Sequence, residues 1–176
     1  QVDHSVISAE HELGGVRFNM IPRSGGNTFS SRNFFNFSAQ NLQADNITAE
    51  LTEAGLPEPN RLKELWSVNP SIGGPILRDK LWFFGSLRDW STDLIVLNSF
   101  QRDGSQGLDD NRLTSGLMRL TYQANSRNKF SAYIDRIRKV RFHEHNEGVD
   151  VETGAYRRRP ILYYTAAAKW TGTLSN

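Results

Sequence analysis

The feature that most constrains this chain is a period-two apolar alternation that recurs from Thr28 onward. The longest aliphatic run in the same sequence is only Leu94-Ile95-Val96-Leu97. Alternation puts every second side chain on one face of an extended segment, so it predicts β-strands. The clearest segment is Leu81–Thr92, with Leu81, Phe83, Gly85 and Leu87 on one side and Trp82, Phe84, Ser86, Arg88, Trp90 and Thr92 on the other. Arg112–Gln123 sets Gly116, Met118, Leu120 and Tyr122 against Ser115, Arg119 and Thr121. From Lys129, Phe130, Ala132 and Ile134 oppose Ser131, Tyr133 and Asp135; in Ile161–Gly172, Leu162, Tyr164, Ala166, Ala168 and Trp170 oppose Thr165, Lys169 and Thr171. Thr28–Gln40 and Leu65–Leu77 are weaker candidates, which brings the expectation to about six strands.

The connections alternate in length. Leu77–Lys80 and Ala124–Asn128 read as tight turns, whereas Asn41–Glu64, Asn98–Asn111 and His143–Arg158 read as long polar loops. Short turns on one rim and long loops on the other are the pattern of outer-membrane barrels. Helix is expected only within Ile47–Leu56, after Asn46 and ended by Pro57 and Pro59. No solenoid repeat or low-complexity tract interrupts this organisation.

Composition narrows the class further. Hydrophobic residues make up 38% of the 176 positions while aromatics reach 11%. Disordered chains are poor in aromatics, so a polar chain rich in them points to folded structure. A run of four aliphatics is far short of the roughly 20 residues of a spanning helix, which leaves a strand-based membrane protein or a soluble sheet. The chain has no cysteine, excluding disulfide scaffolds, thiolate metal sites and cysteine nucleophiles. With 21 basic against 19 acidic residues, the net charge of +2 does not call for a polyanionic partner. The chain opens at Gln1 without a leader and closes inside an expected strand, and is read as a piece of something larger.

Alternation is shared by a soluble sheet packing its apolar face on a core and by a barrel wall turning it to lipid. Three details favour the wall. Aromatics cluster at strand ends (Trp66, Trp82, Phe83, Trp90, Tyr122, Tyr163, Tyr164, Trp170), as interfacial girdles require. The apolar stretches approach the 9–11 residues that cross a bilayer obliquely. The strands also run on into charged sequence such as Arg136–Arg141.

Two stretches carry a family resemblance. One is Gly14–Ser30, GGVRFNMIPRSGGNTFS; the other begins SIGGPILRDKLWFFGSLRDW at Ser71 and continues through Asp103–Gln123 and Asn128–Arg136. Together they resemble the plug-to-barrel junction and first strands of TonB-dependent outer-membrane receptors, in the subgroup with a carboxypeptidase-regulatory-like N-terminal domain. The residues fit that reading: Gly14-Gly15 permits a sharp backbone change, Pro22 stops ladder pairing, and Ser24-Gly25-Gly26-Asn27 can turn the chain into the wall. The resemblance implies an all-β chain. Residues 1–26 would be the end of a plug and its linker, and residues 27–176 about six strands of a partial antiparallel transmembrane barrel of 22 strands, the size of the plugged transporters. It implies Gly14, Gly15, Arg17, Asn19, Pro22, Gly25, Gly26 and Asn27 as the junction motif. It also implies a location in the outer membrane of a Gram-negative bacterium. The partners would be TonB, through a segment preceding this chain, and a scarce nutrient: an oligosaccharide, a peptide or a metal chelate.

Other chemistry is sparse. His143-Glu144-His145-Asn146-Glu147 is ligand-rich but lacks zinc-protease spacing, so His143 and His145 are weak metal candidates beside the simpler reading of a solvated loop, and Glu10-His11-Glu12 is weaker still. Arg136, Arg138, Lys139, Arg141 and Arg157, Arg158, Arg159 form a basic group. On a barrel rim these suit lipopolysaccharide phosphates, with Arg157–Arg159 the expected contact; without a reader motif, no nucleic acid is expected. Asp103–Asn111 lacks the spacing of a calcium loop. No cofactor and no catalysis are expected. The alternatives are a small eight-stranded outer-membrane barrel acting as adhesin or structural protein, and a soluble sandwich binding carbohydrate.

Overall fold

The computed structural model describes residues 2–3, 17–18, 23–44, 46–55, 61–143 and 163–173. Two short strands, β1 (Val2–Asp3) and β2 (Arg17–Phe18), pair antiparallel. The rest is one antiparallel sheet in sequential order, formed by β3 (Ser30–Ala39), β4 (Arg61–Leu77), β5 (Leu81–Phe100), β6 (Gln106–Asn125), β7 (Asn128–His143) and β8 (Tyr163–Gly172). The expected number of strands is therefore present, each paired with its chain neighbour. Within the described residues β3 and β8 have one neighbour each, so the sheet keeps two open edges.

Several strands outrun their expected limits. β5 and β6 have 20 residues each, about 66 Å of extended chain at the usual rise. The segment Asn98–Asn111, expected as a long loop, is mostly strand, and only residues 101–105 turn. Gln101 N–H donates to the Ser105 carbonyl at 2.8 Å, and the Asp103 carboxylate accepts from Ser105 N–H at 2.9 Å. The Ser105 hydroxyl, and after it the Ser105 backbone N–H, hold the Asp103 carboxyl below the ordinary carboxylate range. Gly104 supplies the left-handed φ of +81° that closes the turn. Alternation in this stretch is hidden by a register irregularity between Ile95 and Phe100, where Asn98 takes φ +55°. Asymmetry between the rims is thus weaker than expected.

The loop helix exists but is short. α1 spans Ala49–Glu53, and its N-cap is Thr48, whose hydroxyl accepts from Leu51 N–H, rather than Asn46. Gly55, at φ +83°, ends the turn before the prolines are reached.

Register sorts the side chains into two faces with unlike chemistry. On one, Leu77, Leu81, Tyr122, Phe130 and Trp170 stand in a row across five strands; the next rows are Gly74, Phe83, Leu120, Ala132, Ala168 and then Ile72, Gly85, Met118, Ile134, Ala166. On the other, the corresponding rows read Gly73, Phe84, Arg119, Tyr133, Ala167 and Ser71, Ser86, Leu117, Asp135, Thr165. The apolar face is uncovered: Phe35 is 70% exposed, Leu87 63%, Met118 53% and Ile134 53%. Val96 and Val140 are the buried hydrophobics among the described residues. Among the described residues no second layer meets the apolar face, so the sheet has no packed interior there.

Candidate functional site

The junction motif is where the structure is most informative. Gly14, Gly15, Asn19 and Pro22 lie outside the described residues, and Arg17 is placed in β2 opposite Asp3. Gly25, Gly26 and Asn27 fall in the segment that leads into β3. Gly25 crosses β4 and β5 so closely that a Cβ on it would meet the Phe83 carbonyl oxygen at 2.1 Å and the Gly74 carbonyl at 3.0 Å. At Gly73 the crowding is milder: a Cβ there would lie 3.1 Å from the Phe84 ring and 3.2 Å from the same Phe83 carbonyl oxygen, with the Gly25 Cα at an ordinary 3.5 Å. Backbone meets backbone at Gly25, a contact open only to glycine. Gly26 has nothing near it and is free of that constraint.

Asn27 then fastens the chain to the turn between β4 and β5. Its Oδ1 accepts from the Trp82 indole N–H at 2.7 Å and from the Asp79 backbone N–H at 2.9 Å, while its Nδ2 donates to the Asp79 carboxylate. A side-chain amide donates and accepts at once; an ionised Asp would have no donor for the Asp79 carboxylate, and Ser, one atom shorter, would not reach all three partners. Asp79 itself sits at φ +61°, the left-handed position that Asp tolerates in a turn. Lys129 Nζ lies 5.9 Å from the centroid of the Trp82 ring, extending the contact to β7. Two residues on, Phe29 covers Gly74 on the apolar face and lies 6.3 Å from the Phe83 ring. The segment passes from the polar face at Gly25, over the turn at Asn27, to the apolar face at Phe29.

The two stretches that carry the family resemblance therefore touch. Sequence reading singled out Gly25 and Asn27 but not their receivers Gly73, Asp79 and Trp82, although all three lie in the second stretch. Trp82 and Trp90 were expected in an aromatic girdle; their register places both on the polar face. Tyr122 and Trp170 do line the turn-side edge of the apolar face, joined by Phe130, which was not among the expected girdle residues. Trp170 directs its indole N–H to the Asn128 side chain at 3.0 Å, so its polar atom is satisfied at the rim while the ring stays on apolar surface.

Beside the Gly25 crossing, a recess of about 680 Å³ is lined by Arg23, Arg32 and Arg119 with Ser24, Ser30, Ser31, Ser71 and Phe84. No carboxylate is among its lining residues. Sequence periodicity could not reveal it, because the arginines come from the linker, β3 and β6.

The basic group on β7 is divided by the pleat. Arg136 and Arg138 stand on the apolar face, in the rows of Leu87 and Asp89; Lys139 and Arg141 stand on the polar face. Arg141 is committed there to Asp109, its Nε donating to Oδ1 at 2.9 Å. On the apolar-face side, Arg112 pairs with Asp89 at 2.8 Å and lies 5.4 Å from the Trp66 ring centroid. Arg157, Arg158, Arg159 and His145 lie outside the described residues, as does Glu10-His11-Glu12. His143 is held by Asp110, through its backbone N–H at 2.7 Å and its Nδ1 at 2.9 Å. No group of three metal-ligating side chains occurs among the described residues.

Among these residues no helix is long and apolar enough to cross a membrane, which says nothing of strands. No family model matches the chain, and no solved structure matches it. Among curated proteins it is similar to the TonB-dependent transporter Oar of Myxococcus xanthus, 38% identical over 73 residues. That match covers 40% of this chain and 7% of the length of the Myxococcus protein. The partial likeness, with an almost wholly antiparallel β fold, suggests an outer-membrane transport role.

Proposed function

We propose that this chain is part of a TonB-dependent outer-membrane transporter. Residues 1–26 would be the end of the plug and its linker, and residues 27–176 the first strands of the barrel wall. The observation that carries the reading is the uncovered apolar face. Large side chains in at least three consecutive cross-strand rows have no layer against them among the described residues, and such a face is at rest only against hydrocarbon or a partner. Lipid also explains the inverted polarity, in which charged and hydroxyl side chains occupy the concealed side of a barrel wall.

On this reading the open edges of β3 and β8 are joined by further strands, since an unpaired amide in hydrocarbon costs several kcal/mol. The linker carries the chain from the lumen to the wall through the Gly25 crossing and the Asn27 clamp. A pull on the plug through TonB is then resisted first at Asn27, and the wall beyond it stays in register while the plug moves. Cargo is an oligosaccharide, peptide or metal chelate, bound by plug and loops on the far rim. The chain has no catalytic part in the import; the energy comes from the inner membrane.

The test has two stages. The full-length protein, followed with an antibody in its native cells, is expected in the outer-membrane fraction, resistant to alkaline extraction and migrating faster on gels when unheated. A deletion strain is then supplied with each nutrient class, with and without an uncoupler. Energy-dependent loss of uptake for one class supports the transporter. Recovery of the protein from the soluble fraction, or uptake unchanged by both deletion and uncoupling, would falsify it.

A further inference from the structure

Resting on the membrane-wall reading for its place inside the lumen, the geometry points to a small-anion site beside the linker. We propose that the recess between linker and wall binds a phosphate group, free or carried by a small organic molecule, and that its occupancy holds the linker against the wall. The recess has about 680 Å³, within the roughly 300–1,000 Å³ of small-molecule sites. Its cations come from three segments. Arg23 and Ser24 lie on the linker immediately before the Gly25 crossing, Arg32 stands on β3 opposite Ser71, and Arg119 stands on β6 opposite Phe84. Ser30, opposite Gly73 in the row of Phe84 and Arg119, adds a hydroxyl. Ser71 is spent on the frame, its hydroxyl donating to the Arg32 carbonyl at 3.0 Å and tying β4 to β3.

A concavity lined by charge of one sign concentrates counter-ions, and no carboxylate is among the residues that line this one. Asp135, diagonal to Arg119 in the β6–β7 register, shares the face but is not part of the lining. Geometry then selects the kind of anion. A carboxylate is planar and spends both oxygens on one guanidinium. Phosphate offers tetrahedral oxygens to cations that arrive from three directions, and can still accept from Ser24 and Ser30. The bare ion fills only part of the space, and the Phe84 ring gives the remainder an apolar wall suited to a carbon skeleton. The site is also divided between parts that a pull on the plug would separate. Arg23 and Ser24 go with the linker, while Ser30, Arg32 and Arg119 stay in the wall. Phosphate is therefore held while the linker is docked and released when it is drawn away. Linkage makes the effect reciprocal, so bound phosphate strengthens docking by the same factor.

The full-length protein is first shown to insert into bilayers. It is then titrated calorimetrically with inorganic phosphate, phenyl phosphate and malonate at equal ionic strength. Both phosphates are expected to bind about tenfold tighter than malonate, and Arg32→Gln or Arg119→Gln to weaken them about tenfold. Arg23→Gln lies ahead of the wall strands and is expected to weaken them as well, which keeps the test decisive if a wall variant fails to fold. Tighter phenyl phosphate supports the site with an organic phosphate as occupant; equal affinities support it with the free ion. Hydrogen exchange of the linker amides at residues 23–30 is expected to slow when phosphate binds, and to stay unchanged in Arg23→Gln. Malonate bound as tightly as phosphate, affinity unaltered in Arg23→Gln, or linker exchange indifferent to phosphate would overturn the proposal while an inserted protein remains a membrane wall. An inserted protein that takes up neither phosphate overturns it too, and assigns the arginines to the plug. A protein that fails to insert removes the wall and the luminal site together.

Discussion

Between Leu77 and Leu87, the turn-side half of the sheet carries no ion pair on its apolar face among the described residues; contacts on that face are rows of apolar side chains and the Phe29–Phe83 ring contact. Beyond Leu87 the apolar-face rows hold Asp89–Arg112, and the far ends of the strands add the His143–Asp110 contact and, on the polar face, Asp109–Arg141. The change comes within one row, where Leu87 and Gly116 give way to Asp89 and Thr114. The same backbone ladder continues across that border, so the difference is one of surroundings. On the proposed membrane-wall reading, charges appear where they can be hydrated or paired, and vanish where one face would have to hold them against hydrocarbon.

The sharpest way to break this comparison is to move a charge across the border. Met118→Arg lies inside the apolar rows and is expected to cost about 2–4 kcal/mol of stability in the membrane, whereas Thr114→Arg, on the same face of the same strand, costs about 0–1 kcal/mol. Urea unfolding of the full-length protein in bilayers measures both; equal costs would mean that the border is not a membrane border. Next in size is the crossing. Gly25→Val puts a side chain where a carbonyl oxygen already lies and is expected to lose about 1–3 kcal/mol, while Gly26→Val is nearly neutral; thermal unfolding distinguishes them.

Asn27→Ala removes three hydrogen bonds at the turn, with an expected loss of about 1–2 kcal/mol because water reaches part of the site. The readout is Trp82 fluorescence, which shifts as its indole N–H loses Asn27; an unchanged spectrum would mean that the clamp is not occupied. The smallest effect is expected at the far half. Asp89→Ala breaks a pair whose side chains are 34% and 48% exposed, so it costs about 0.2–1 kcal/mol, less at high salt.

Much of the sheet was legible because a strand's period of two is written directly in the residue order. Leu81–Leu87 and Gly116–Tyr122 declared their faces without any knowledge of neighbours. Legibility failed at residues 98–111, where a register irregularity and a compact Asp-Gly-Ser turn interrupt the period and imitate a loop. At the candidate site the sequence marked the glycines and Asn27 of the linker, but not what they meet. Gly25 and Gly73 are far apart along the chain, and it is the Phe83 carbonyl oxygen, brought close to both by the fold, that leaves no room for a side chain at Gly25 and little at Gly73.

The order of residues alone therefore determined strand number, facial polarity and the absence of any thiol chemistry, since each depends on local period or composition. Tertiary structure decided that the two resembling stretches clasp each other, that the β7 arginines divide between faces, and that three distant arginines share a recess. Those outcomes depend on pairing register, which is a relation between strands and is carried by no single segment.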